Sequence, residues 1–403
     1  MSDWDVTTLG DVCAAGNGSI QTGPFGSQLH AEEYSIRGVP VVMPQDLGEN
    51  TISTAQIARV PDAVASRLER YRLAGGDIVF SRRGDVTRRA LVRASNVDWL
   101  CGTGCLRVRP GDAVDSRFLS YLMATTDAKD WLLGHAVGTN MLNLNTGILG
   151  RLPLTVPSLA EQRAIAEVLG ALDDKIAANT ALAEKTEAFG SLVYDTMSAV
   201  WPRVPMSSVL EPILGGTPPR AREDYWKDGD QLWISARDIS SAPNRMVVDT
   251  AEKITRGAVA GTKAKALPSG SVILTARGTV GEVGRLARPA SFNQSCYGFR
   301  PDVVPPGLLY FSILRATERA KAVAHGSVFD TITKTTFEHL DFAWDNDQAA
   351  AAEGAVSPVL DVVTAAVNEN RMLASTRDAL LPQLMSGKLR MRDAEAAASE
   401  AGA

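Results

Sequence analysis

Two loops carry side chains suited to gripping a charged, hydrogen-bonding surface rather than to breaking bonds. Ser81-Arg82-Arg83-Gly84-Asp85-Val86-Thr87-Arg88-Arg89 sets four arginines around one glycine. A guanidinium fork binds a phosphate, or the O6/N7 edge of guanine, through two parallel hydrogen bonds. Glycine lets backbone approach a phosphate closely. Thr275-Ala276-Arg277-Gly278-Thr279-Val280-Gly281 repeats the plan with one arginine and a threonine. Any one surface arginine is an ordinary solvated residue; recurrence of the loop is what singles it out.

The remaining candidates lie at matching places in the same two halves. Ser27 and Gln28 end the turn Gln21-Thr22-Gly23-Pro24-Phe25-Gly26, and Arg220 ends its counterpart Gly215-Gly216-Thr217-Pro218-Pro219. Gln45 and Arg237 precede the paired Asp46 and Asp238, and differ in kind, as expected where equivalent scaffolds read different bases. Asn140, Asn143 and Asn145 face Val328, Thr331 and Thr333 across the repeat. With Thr87, Asn293, Gln294 and Lys334 they complete the candidate nucleic-acid contacts. Turn chemistry alone accounts equally well for the Gly/Pro turns and the asparagines.

Catalytic signatures are missing from this inventory. Ser386-Gly387-Lys388-Leu389 fails the P-loop pattern, and no Gly-x-Ser-x-Gly elbow occurs. Thr217-Pro218-Pro219-Arg220 is not the tetrapeptide of an amino-methyltransferase, and Asp127-Ala128-Lys129 reads as a surface helix triplet. His30, His135, His325 and His339 form no cluster, and Cys13, Cys101, Cys105 and Cys296 lack zinc or disulfide spacing, so no metal is expected.

The elements that must hold these loops are themselves duplicated. Gly76-Asp77-Ile78-Val79-Phe80 returns as Gly270-Ser271-Val272-Ile273-Leu274, Val42–Leu47 as Ile234–Ile239, and Gly138 as Gly326. Strands are expected at Val39–Met43, Asp77–Phe80, Leu106–Arg109, Leu232–Ile234, Ser271–Thr275 and Gly298–Arg300, with helices at Ser116–Leu133 and around Gly307–Ala324. After Pro157, Ser158 and Glu161 form a capping-box pattern. The seam Ile165, Leu169, Leu172, Ile176, Asn179, Ala183, Thr186, Gly190, Val193 then alternates steps of four and three. Val359, Val363, Ala366, Asn370, Leu373, Arg377, Leu380, Leu384 repeat it, with Asn179 and Asn370 equivalent. A seam asparagine costs stability but fixes register. The simplest assembly pairs these helices antiparallel, each ~60 Å long.

Net charge is −5 over 403 residues, unevenly distributed. Residues 1–157 hold 15 Lys/Arg against 16 Asp/Glu and 203–345 hold 18 against 15, whereas 158–200 hold 3 against 7 and 346–403 hold 5 against 8. The acid sits on the helices, and the globular parts are left for local arginine clusters to act. No apolar run approaches the ~18 residues of a membrane span, and the N-terminus is not a signal peptide, so a cytoplasmic location is expected.

In this order and duplicated, Thr22-Gly23-Pro24-Phe25-Gly26-Ser27, the paired strand–glycine motifs, Leu154-Thr155-Val156-Pro157-Ser158-Leu159-Ala160-Glu161-Gln162-Arg163-Ala164-Ile165 and Leu380-Leu381-Pro382-Gln383-Leu384-Met385-Ser386-Gly387-Lys388-Leu389 are specific. The chain resembles the specificity subunit of Type I restriction–modification systems. The resemblance implies an α+β fold. Two mixed α/β target-recognition domains, 1–157 and 201–345, would alternate with helices at 158–200 and 346–392 that form an antiparallel coiled coil; beyond the resemblance, the Ala/Glu/Ser-rich 393–403 is expected from its composition to be a disordered tail. The resemblance also implies a non-catalytic subunit that binds a split double-stranded DNA sequence. Two methyltransferase subunits carrying S-adenosylmethionine would dock on it, with two motor-nuclease subunits as a further option, and this chain itself would hold no cofactor. Trp344-Asp345-Asn346-Asp347-Gln348 departs from the family's stem and leaves the start of the second helix open. A free-standing DNA-binding regulator, an enzyme with an unrecognised site and a protein-only scaffold are the alternatives.

If the helices measure the gap between half-sites, deleting one heptad (~10 Å) should change or abolish the recognised spacing. Binding to a panel of duplexes with stepped gaps checks this, and an unaltered gap preference refutes it.

Overall fold

The computed structural model describes residues 4–138, 141–323, 331–389 and 399–400. His325, Gly326, Val328, Asn140 and most of the expected tail lie outside them. The chain divides into two compact units, one formed by 1–174 with 373–403 and the other by 175–372. Each is a globular α/β body with segments of both long helices.

In the first unit β1 (Asp5–Thr8) pairs antiparallel with β9 (Pro153–Val156). A four-stranded sheet runs β2 (Ser19–Thr22), β8 (Cys105–Arg109), β5 (Ile78–Ser81), β6 (Arg89–Leu91). A three-stranded sheet runs β4 (Ala58–Val60), β3 (Val39–Val42), β7 (Leu100–Cys101), with β3 and β7 parallel.

The second unit repeats this plan. β10 (Arg203–Pro205) pairs with β19 (Asp341–Ala343). The larger sheet runs β11 (Ile213–Leu214), β18 (Cys296–Phe299), β15 (Val272–Thr275), β16 (Val283–Leu286), with β13 (Met246–Val247) added at its edge. The smaller runs β14 (Glu252–Ile254), β12 (Gln231–Ile234), β17 (Ala290–Phe292), and β12–β17 is again parallel. β5 and β15 are buried at every residue. Both their faces are covered, so they read as unbroken apolar runs rather than alternating ones.

The helix expected over 116–133 is two helices, Ser116–Leu122 and Thr126–His135. Thr125 causes the break: its hydroxyl donates to the Leu122 carbonyl (2.7 Å) and accepts from the Ala128 amide (3.4 Å), capping a new helix. The counterpart in the second unit is a single helix, Pro306–Val323.

The long helices are Leu159–Ser198 and Ala349–Met385. Ser158 caps the first through the Glu161 amide, as expected. The second begins where Asp345 accepts from the amides of Asp347 and Gln348, which settles the start that the sequence left open. Ile165, Leu169, Leu172, Asn179 and Ala183 are buried on the first helix, and Val363, Leu373, Leu380 and Leu384 on the second, while Ile176 and Asn370 are half-buried. In the second unit the helices run antiparallel. Asn179 donates to Glu369 (2.7 Å), Asn370 donates to Thr180 (3.1 Å), and a Cβ on Gly190 would meet Val359. Toward one end the seam slips by one position. Glu187 and Tyr194 are buried where Thr186 and Val193 were expected, and Leu360 where Val359 was. There the partner is a globular body as well as a helix: Tyr310 donates to Glu187, and Tyr194 bonds Ser312 (3.0 Å).

By length and composition Ala349–Met385 is apolar enough to cross a membrane, although no continuous apolar run marked it in the sequence. Its Val356, Leu360, Val363 and Val367 are spent in the core of the second unit.

In the first unit Asp77 is 1% exposed and accepts both forks of Arg109 (2.7 Å each) and the Ala74 amide (2.8 Å). Arg109 is 39% exposed and can hydrate when its partner is lost, so the cost is that of charge-assisted hydrogen bonds, about 2 kcal/mol. Asp77→Ala should lower stability by that amount in denaturant unfolding, whereas Asp112→Ala, exposed and with no side-chain partner among the described residues, should stay within roughly 0.5 kcal/mol.

Candidate nucleic-acid interface

Backbone hydrogen bonds gather the candidate loops of each unit by the same wiring. Arg82 N donates to Gly104 O (2.8 Å), Leu144 N to Arg82 O (2.9 Å), and Gly102 N to Val42 O (2.9 Å). At the equivalent positions Ala276 N donates to Ser295 O (2.7 Å), Ile332 N to Ala276 O (3.0 Å), and Asn293 N to Ile234 O (2.9 Å). Gly23 N reaches Cys105 O (2.9 Å) and Gly215 N reaches Cys296 O (3.2 Å). In both units five chain segments distant in sequence are thereby joined into one connected surface.

Glycine is required at two kinds of place. A Cβ on Gly23 would sit 2.0 Å from the Gly102 carbonyl oxygen, and one on Gly215 would sit 2.1 Å from that of Asn293. Gly84 and Gly278 instead have φ of +75° and +80° with open space around them. They hold the arginine loops in a left-handed turn that other residues adopt at a cost.

The arginines divide by what they touch. Arg82 is a positioning residue: its Nε donates to Asn143 Oδ1 (3.3 Å) and Leu144 O (3.2 Å). Arg89 is 2% exposed, donates from Nε to Ser120 O (3.1 Å), and is pulled down to about 10 by burial. Arg88 pairs with Asp85 (3.3 Å), which also holds Thr87. Arg83, next to Gly84, is exposed and has no side-chain partner among the described residues. In the second unit the same is true of Arg237, Arg277 and Lys334.

Gln45 and Arg237 sit on matching turns. Asp46 Oδ2 accepts from the Met43 amide (2.8 Å) and Asp238 Oδ2 from the Ser235 amide (2.8 Å). Each aspartate shapes the turn that leaves its neighbour exposed. The α-helical turn Ala236–Ser240 is joined to the arginine loop by Ser240 Oγ and Thr279 Oγ1 (2.8 Å). Arg237, Arg277 and Thr279 thus belong to one surface.

Other candidates are partly committed. Gln28 Oε1 accepts from the Phe25 amide (3.1 Å) and the Tyr71 hydroxyl (2.7 Å). Arg220 stacks on Trp226 (3.7 Å to the ring) and is held charged by its two bonds to Glu252. Asn293 accepts from the Ser295 amide, and Gln294 accepts from Thr217. Asn145 caps the helix Thr146–Gly150, a structural duty that its sequence context did not separate from base reading. Thr333 opens the turn Lys334–Glu338, and Thr331 and Ser27 are exposed beside their loops. Asn140 lies outside the described residues. Phe25, an aromatic inside the Gly-Pro turn that was not among the candidates, is exposed beside this surface.

Known proteins agree with this layout. The family described as Type I restriction modification DNA specificity domain matches twice, over residues 1–188 and 201–343. The putative type I restriction enzyme MjaX specificity subunit of Methanocaldococcus jannaschii is 19% identical, covering 97% of this chain and 94% of that protein. The MjaIX specificity subunit of the same organism is 25% identical over 37% of this chain, a match spanning about a third (35%) of that relative's length. Among solved structures, the S subunit of a Type-I restriction-modification system from M. genitalium shares the fold, with TM-score 0.62 and 13% identity over 95% of this chain and 96% of that one.

Arg83→Ala should leave the melting temperature unchanged and reduce the slope of log affinity against log salt by about 1 for duplex DNA. Arg82→Ala should instead lower stability, because it strands Asn143 and the Leu144 carbonyl. Equal salt slopes for wild type and Arg83→Ala would remove Arg83 from the interface.

Proposed function

The chain belongs to the Type I restriction modification DNA specificity family and is a DNA sequence-specificity subunit; we propose that it reads a two-part target, one half through each loop surface. The observation that carries this reading is the duplicated wiring of the loops around different side chains. Equivalently wired scaffolds with Arg83 and Gln45 in one unit, and Arg277 and Arg237 in the other, suit two unlike half-sites. Loop backbone and exposed cations would fix phosphates, while Gln45, Arg237 and their neighbours reach base edges.

In this reading the subunit performs no chemistry. Methyl transfer to adenine belongs to two partner methyltransferase subunits that carry S-adenosylmethionine, joined for restriction by two motor-nuclease subunits in the cytoplasm. A surface for the methyltransferase is offered by Leu182, Phe189 and Leu192 of the first long helix. They are seven and three residues apart, hence on one face, and all are exposed. The long helices act as the spacer between half-sites.

Long-read methylation sequencing of the source strain with and without this gene tests the proposal. Loss of one split adenine motif on deletion is expected. An unchanged methylome in a strain that expresses the methyltransferase would refute it.

A further inference from the structure

We propose that Phe25 is a base-contacting residue of the first half-site, pressing its ring against a base, either the face or the thymine methyl. The inference rests on the DNA-reading role given above and deepens it. Phe25 is 53% exposed, while the backbone of its turn is fixed. Its amide donates to Gln28 Oε1 (3.1 Å), and its carbonyl accepts from the amides of Gln28 (2.8 Å) and Leu29 (3.2 Å). Gln28 is in turn clamped by the buried Tyr71 hydroxyl (2.7 Å) and by Arg67 Nη1 on its carbonyl (2.8 Å). Two residues before Phe25, Gly23 is pressed against the Gly102 carbonyl. The backbone of the turn is therefore fixed, and with it the point from which the ring projects.

The surroundings say what the ring meets. The Arg82 guanidinium lies over it, 5.7 Å from the centroid, itself held by Asn143 and Leu144. Arg83 follows, exposed and without a side-chain partner among the described residues. Gly26 and Gly84 flank the patch with nothing within 4 Å of a Cβ on either. An apolar ring beside cations and bare backbone fits a ligand with flat apolar faces on an anionic chain, which is nucleic acid. A protein partner would call for a wider apolar patch. Apolar side chains read the thymine methyl in the major groove or wedge against a base step. In the second unit the corresponding turn has Pro218 and Pro219 and no aromatic residue, so this contact belongs to one half-site alone.

The test is made on the whole methyltransferase complex, in cells, with Phe25→Ala and Phe25→Leu, read by methylation sequencing. Phe25→Ala should relax one position of the first half-site, or cut methylation at the full site by about tenfold or more, a loss in the range of one base contact. The second half-site should keep its bases, which also shows that the complex has assembled. Phe25→Leu, still apolar, should recover part of the loss. A Phe25→Ala methylome identical to wild type in motif and extent would overturn the proposal, as would a total loss that Phe25→Leu does not relieve. Failure of the underlying reading looks different: the wild-type complex itself would then yield no split motif.

Discussion

Each globular body presents the start of its domain helix to the long helix beside it, and a side chain of the long helix caps that start. The first amides of a helix have no partner within the helix, and buried ones must find an acceptor. In the first unit the buried Gln162 accepts from the Asp115 amide (2.9 Å) at the start of the domain helix. In the second, Glu353 accepts from the amides of Gly307 (3.0 Å) and Leu308 (2.9 Å). The two acceptors stand 191 positions apart, at equivalent points of the two long helices. The departure at Trp344–Gln348 therefore leaves the docking register of the second helix intact. Glutamate in place of glutamine adds a negative charge at the N-terminus of a longer helix, where the dipole favours it. The capped helices pack on the sheets whose central strands, Ile78–Ser81 and Val272–Thr275, run straight into the arginine loops.

Several acidic residues on the long helices act inward. Asp173 takes the Tyr121 hydroxyl and Arg377; Asp174 takes Arg93 and Arg117; Asp195 takes Arg315; Glu187 takes Tyr310 and Arg245. Composition placed this acid on the helices. The structure spends several of these residues on the chain's own globular bodies, where partly buried pairs are screened less by salt than surface pairs. The arginines are partitioned in the same way. Those with partners build the loops, and those without face outward, so a chain of net charge −5 still offers cationic points where a phosphate chain can reach them.

Much was legible in the sequence because duplication and periodicity are local properties. Matching strand–glycine segments announced two equivalent scaffolds, and the alternation of four and three announced the helices with Asn179 and Asn370 in their seams. The family's resemblance added the role, which the matched residues 1–188 and 201–343 bear out. The break at Thr125 was written locally too, in a threonine that caps more readily than it continues a helix.

What only the tertiary structure decided is which side chain is spent on what. Arg82, Arg83, Arg88 and Arg89 look alike in the sequence, but a backbone fold that brings Leu144 and Ser120 beside two of them makes those two structural and leaves Arg83 outward. The seam slips at Glu187 and Leu360 because a globular body, absent from any heptad pattern, takes over as the packing partner. Phe25 shows the same division from the other side. Its type and exposure are set by a turn four residues long, but the backbone of that turn is fixed by Tyr71, Arg67 and Gly102, far along the chain. Sequence fixes which groups are present and how they repeat along an element. Long-range hydrogen bonds and burial fix which of those groups remain available to a ligand.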